Sequence, residues 1–153
     1  MASIERTVDI DRPAEDVWAL LEDVRRLPEL SPSTVEVDGP ARLDAVGQRF
    51  RQVVSLAGRR FESEWKVAGI VPGRCLAVEG SVLPGTHYRM VEEVVATGPS
   101  SCRLHLRMHY KLPFGPLGRL AAKLGVESRA TTEAEGVLAG IKAAVERQPE
   151  TVG

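Results

Sequence analysis

Large rings are scarce in this 153-residue chain: three Phe, two Trp and two Tyr make up 5% of it, so few aromatic side chains are on hand to fill an interior. Cysteine is limited to Cys75 and Cys102, both in strand-like stretches, a pattern of buried free thiols rather than a disulfide framework. Neither sign of charge dominates: 20 basic residues face 21 acidic ones, which gives no pull towards nucleic acid or an anionic membrane. No apolar run approaches the ~20 residues of a membrane span, so no integral membrane segment is expected. The opening Ile4-Glu5-Arg6-Thr7-Val8-Asp9 carries charges where a signal peptide needs an apolar stretch, which predicts a cytoplasmic protein. The bias to 16 Arg over 4 Lys reads as the codon usage of a GC-rich bacterium. Repeats, linkers and low-complexity tracts are absent. What remains is 43% hydrophobic and 27% charged, the balance of a chain that buries a core.

Two hydrophobic periods divide that chain. Ile4, Val8 and Ile10 alternate with Glu5, Thr7 and Asp9, which predicts a first strand. Asp11 and Pro13 then open a helix carrying Val17, Leu20 and Leu21, with Trp18 beside them. A second short helix over residues 23–27 is expected to stop at Pro28. Strands are predicted over residues 33–38, 48–56, 59–69, 74–81, 86–96 and 102–112, with turns at Ala57-Gly58, Pro72-Gly73, Pro84-Gly85 and Gly98–Ser101. The last strand alternates most cleanly, with Cys102, Leu104, Leu106, Met108 and Tyr110 on one face. The period returns to 3.6 over residues 115–147, where Leu117, Leu120 and Leu124 are followed by Ala130, Ala134, Val137, Leu138, Ile141 and Val145, with a break near Gly125 and an end at Pro149. The order β-α-α-β6-α predicts an α+β domain over residues 1–149, with a seven-stranded antiparallel sheet and one long C-terminal helix, and with residues 150–153 as a tail.

Seven antiparallel strands curl into a half-pipe that one helix can cross but not fill. The helix offers Ala130, Ala134, Ala139, Gly136 and Gly140 near its middle. Small residues at those positions leave a cavity open; alternatively, they let helix and sheet pack closely.

Several stretches resemble one family over nearly the whole chain: Ile10-Asp-Arg-Pro-Ala-Glu-Asp-Val17-Trp18, Asp23-Val-Arg-Arg-Leu-Pro28, Val46-Gly47-Gln48-Arg49-Phe50, Val71-Pro-Gly-Arg74, and Leu112-Pro-Phe-Gly-Pro-Leu-Gly118. They are similar to the START-like, birch-pollen-allergen-like superfamily and, within it, the bacterial polyketide cyclase/dehydrase and lipid-transport (SRPBCC) branch. The resemblance implies a helix-grip fold, its curved sheet wrapped around the long C-terminal helix, with an interior ligand pocket and a spread of activities: aromatase/cyclase, carriage or sequestration of hydrophobic metabolites, and partner binding. Members often carry Trp after the Pro-Glu of the second short helix. Leu30 stands there in this chain, which reads as a packing change without functional weight.

No motif announces chemistry. His105 and His109 are four apart, but on a strand four residues span ~13 Å, too far for one metal ion, and no metal site is expected. Gly-x-Ser-x-Gly and Gly-x-x-x-x-Gly-Lys do not occur, and the loop 39–47 has glycines only at its ends. Arg49, Arg51, Arg59, Arg60, Glu62 and Glu64 fall on the solvated side of their hairpin. At inward parity stand the apolar Phe50, Val54, Phe61, Trp65, Met90, Leu106 and Met108, joined by Val137 and Leu138 of the helix. Gln52, Ser63, Tyr88, Glu92 and Tyr110 share that parity and are the candidates for orienting a ligand by hydrogen bonds. For the tyrosines the alternative is a core ring whose hydroxyl reaches the rim. For Glu92 it is a bulge that turns the carboxyl outward. The expected function is binding of a small hydrophobic ligand, polyketide- or lipid-like, without cofactor. Alternatives are a metal-free polyketide cyclase or dehydratase, with no catalytic residue assignable, and a protein-interaction module. Oligomeric state is not legible.

Overall fold

A computed structural model describes residues 2–56, 58–81, 85–111, 115–116, 118–119 and 126–147. Its elements are β1 (Ala2–Ile10), α1 (Ala14–Leu21), a 3-10 turn (Val24–Arg26), α2 (Leu27–Leu30), β2 (Thr34–Asp38), β3 (Arg49–Leu56), β4 (Arg59–Val71), β5 (Cys75–Ser81), β6 (His87–Gly98), β7 (Ser101–Lys111) and α3 (Val126–Glu146). The seven strands form one antiparallel sheet in the order β1-β7-β6-β5-β4-β3-β2. This is the α+β order expected from the change of hydrophobic period, in the helix-grip arrangement that the resemblance implies. Among the described residues no helix is long and apolar enough to cross a membrane.

Local chemistry accounts for the joints. Arg74 N donates to Val71 O at 2.9 Å across the β4–β5 turn, with Pro72 at the second position and Gly73, φ +80°, at the third, where a positive φ suits glycine. Pro28 departs from expectation. It sits inside the first turn of α2, where its missing N–H removes no intrahelical bond, so the chain coils on to Leu30 instead of stopping. The loop 39–47 is held by Gln48, whose Oε1 accepts from Asp44 N and Ala45 N at 2.8 and 3.0 Å. That clamp, with Leu43 N donating to Glu22 O at 2.7 Å, drives the Leu43 side chain into the interior. The turns at Ala57 and Pro84, the stretch 112–114, the residues Leu117, Leu120 and Leu124, the break near Gly125 and the tail 150–153 lie outside the described residues.

The long helix packs mainly on β1, and then on α2, α1 and β7. It therefore covers one flank of the sheet and leaves the concave faces of β3 to β6 facing α1, α2 and the loop around Leu43. Its glycines serve that docking. A Cβ on Gly140 would overlap the Leu30 carbonyl oxygen, and one on Gly136 would lie 2.7 Å from Pro32 Cγ. Ala134 is fully buried and Ala139 is exposed. The small residues thus mostly let α3 approach the α2–β2 segment, and of the five only Ala130 borders open space.

Candidate functional site

Between the uncovered strands and the helices lies a cavity of about 650 Å³. That is the size of a site for a drug-sized molecule. Of the residues singled out in the sequence, Phe50, Gln52, Val54, Trp65, Tyr88, Met90, Glu92, Met108 and Val137 line it. Five do not. Leu106 and Leu138 are enclosed in the core near the helix, because α3 covers the β1–β7 flank directly. Tyr110 is buried behind Tyr88. Phe61 packs half-buried against the core. Ser63 is buried, and its hydroxyl donates to Gln52 O at 3.1 Å.

The scarce aromatics are concentrated in one row across the sheet. Register sets Phe50 opposite Trp65, Trp65 opposite Gly80, Gly80 opposite Tyr88 and Tyr88 opposite Tyr110. Ring centroids follow at 6.4, 6.3 and 6.2 Å, within the range of favourable aromatic pairs. Gly80 makes the row continuous. Any Cβ there would overlap the Trp65 indole, so the ring lies over the glycine and reaches Tyr88 on the far side of β5. The indole Nε1 donates to Ser63 Oγ at 2.9 Å, which fixes the ring against the wall.

Glu92 is the exceptional group. It keeps regular register between Leu76 and Leu106, and the irregularity in β6 falls later, between Ala96 and Gly98, so no bulge turns it outward. It lines the cavity, and its Oε2 is enclosed with no hydrogen-bond partner among the described residues. Burial among aliphatic neighbours pushes its carboxyl up from 4.5 to about 7. Burial, and secondly the neighbouring Tyr110, pushes the Tyr88 phenol up to about 12, so its hydroxyl stays protonated and able to donate. Burial likewise raises both thiols, Cys102 fully enclosed and Cys75 half-buried.

A second polar group lies on the β3 side, where Ser31, Thr34 and Gln52 meet Glu133 of α3. Ser31, Thr34 and Glu133 were not found from sequence: Ser31 falls in an aperiodic connection, Thr34 opens a short strand, and Glu133 looks like any polar helix residue. Leu76 and Val78 of the wall were also missed. In Leu76-Ala77-Val78 every residue is apolar and buried, so alternation carries no signal. Leu30 lines the cavity as well. On the outer face, Arg51–Glu62 and Arg103–Asp9 are exposed cross-strand pairs, Arg89–Glu79 is a half-buried one, and His105 Nε2 stands 2.5 Å from Glu5 Oε1.

The family model described as polyketide cyclase / dehydrase and lipid transport matches residues 1–146. No curated protein sequence matches the chain. Among solved structures, the Zhui aromatase/cyclase from Streptomyces sp. R1128 superposes with a TM-score of 0.84 at 19% identity, covering 99% of this chain and 98% of that one. A START superfamily protein from Mycobacterium smegmatis gives 0.69 at 19% identity over 95% and 97% of the two chains. Truncated norcoclaurine synthase from Thalictrum flavum gives 0.70 at 16% identity over 97% and 95%. At such identities the likeness establishes the fold and leaves the reaction open.

Proposed function

The chain belongs to the polyketide cyclase/dehydrase and lipid transport family, and from that premise we propose that its cavity takes up a polyketide-like chain and that Glu92 moves protons during ring closure. The observation that carries this reading is Glu92 on the cavity wall, its Oε2 enclosed and without a hydrogen-bond partner among the described residues, and its carboxyl raised to about 7. A carboxyl in an apolar wall destabilises the fold when ionised, whereas one poised near neutrality both accepts and returns a proton. In a poly-β-ketone the methylene between two carbonyls is acidic. Glu92 takes a proton from it, the enolate carbon attacks a carbonyl further along the same chain, and the new alkoxide takes the proton back. A second α-proton then leaves to Glu92 and is returned to the departing hydroxyl, so the net change is ring closure with loss of water. No oxidant or reductant is consumed. Tyr88 lies four residues away on the same strand, ~13 Å, and so addresses a different carbonyl of an extended substrate.

A second reading, carriage without turnover, is favoured by one observation. The other polar groups around Gln52 are bonded to one another and suit orientation rather than reaction. A pure interaction module fits poorly with an unfilled interior. The test compares wild type with Glu92→Gln on a synthetic poly-β-ketone thioester, following the dehydrated cyclic product by chromatography and mass spectrometry, with binding measured separately. The expected result is a loss of turnover of ~100-fold or more with binding retained. Equal turnover in the variant refutes the role of Glu92. Tight binding by wild type with no acceleration over the spontaneous reaction establishes the carrier instead.

A further inference from the structure

The β3 side of the cavity holds a chain of hydrogen bonds whose direction is set by proton counting. Ser31 Oγ donates to Glu133 Oε1. Thr34 Oγ1 lies 2.8 Å from Ser31 Oγ and 2.9 Å from Gln52 Oε1. All four residues line the cavity, and Ser31 and Thr34 are buried. A hydroxyl carries one proton. With the Ser31 proton on Glu133, the Ser31–Thr34 bond uses the proton of Thr34, which leaves Thr34 only lone pairs for Gln52. The Gln52 amide meets that demand by a half-turn of its terminal torsion, since its two ends have the same shape. Its NH2 then donates to Thr34, and Oε1 turns to the cavity. Two neighbouring donors are committed elsewhere: Ser63 Oγ to Gln52 O at 3.1 Å and Trp65 Nε1 to Ser63 Oγ at 2.9 Å.

We propose that this end of the cavity is a specificity element for a hydrogen-bond donor, a hydroxyl or phenol of the ligand, received by the side-chain oxygen of Gln52 and polarised through Thr34 and Ser31 by Glu133. The inference rests on the cavity being a ligand site. Gln52 lies three strands from Glu92 in the sheet order, so the element reads a part of the ligand remote from the proposed proton transfer. Glu133 and Thr34 are positioning residues: Glu133 bonds Ser31, Thr34 bonds Ser31 and Gln52, and together they set which atom the ligand meets.

Calorimetric affinities for 2-naphthol and 2-acetylnaphthalene, equal in ring but opposite in hydrogen-bonding end, test the polarity. The affinity ratio of naphthol to ketone should be about fivefold higher in wild type than in Gln52→Leu, the worth of one hydrogen bond. Glu133→Gln, whose amide can give or take a proton at Ser31, should lower the ratio, chiefly by improving ketone binding. Thr34→Val should lower it too, because Gln52 loses the group that orients it, and this variant stands in if Gln52→Leu does not fold. A wild-type ratio no higher than that of Gln52→Leu, or one unchanged in Glu133→Gln, overturns the proposed polarity while leaving the cavity a ligand site. If neither probe binds folded wild-type protein, the ligand-site reading falls and this inference with it.

Discussion

Replacing Glu92 by Gln should make the protein more stable at alkaline pH and leave it unchanged in acid. In the unfolded chain the carboxyl titrates near 4.5, and in the folded one burial raises it to about 7. Between those values the folded state binds the extra proton, so stability declines as pH rises through the window. Below about pH 4.5 the group is neutral in both states and imposes no penalty; above about pH 7 the folded protein holds an uncompensated carboxylate. At 1.36 kcal/mol per pKa unit, the rise from 4.5 to about 7 corresponds to about 3 kcal/mol, most of it appearing between about pH 5 and 8. Glutamine keeps the shape and removes the ionisation. Urea unfolding of both proteins at the two ends of the window gives the difference directly, and in thermal melts it corresponds to roughly 5–10 °C at the alkaline end. A variant whose stability advantage is the same at both pH values would refute the reasoning, because the carboxyl would then titrate alike in the folded and unfolded chains.

Three further outcomes follow from the same geometry. Gly140→Ala should cost about 1–3 kcal/mol despite the better helix propensity of alanine, because its Cβ meets the Leu30 backbone oxygen; an unchanged melting temperature would contradict the close helix approach. In a Trp18→Phe background, the emission of Trp65 should be quenched when anthraquinone saturates the protein, since the indole lines the cavity, and unaltered emission at saturation would place the ligand elsewhere. Tyr88→Phe should leave the phenolate absorbance titration superimposable on that of wild type up to about pH 10, because Tyr88 ionises only near 12; a lost step below that pH would show its hydroxyl to be hydrated.

Much of the architecture was legible in the residues because period is a local property. The alternation from Cys102 to Tyr110 and the 3.6-residue stripe through Val137, Ile141 and Val145 each need only near neighbours to be read. Inward parity also identified the cavity face of β3 and β6. It could not separate the residues that border open space from those pressed under the helix: Leu106 and Met108 share one face of β7, yet only Met108 reaches the cavity. The glycines of α3 were legible as small and not as docking surfaces, since their partners, the Leu30 oxygen and the Pro32 ring, are about a hundred residues away in sequence.

The amino-acid order by itself determined which segments are strands, which face of each is apolar, and that a helix must cross the concave side, because these follow from side-chain spacing along the chain. Tertiary structure alone decided where that helix lies. By settling on the β1–β7 flank it left a cavity beneath β3 to β6, gathered Ser31, Thr34, Gln52 and Glu133 from four separate segments, and enclosed the Glu92 Oε2 without a hydrogen-bond partner among the described residues. Burial and hydrogen-bond partnership are sums over everything that surrounds an atom, and no local pattern carries them.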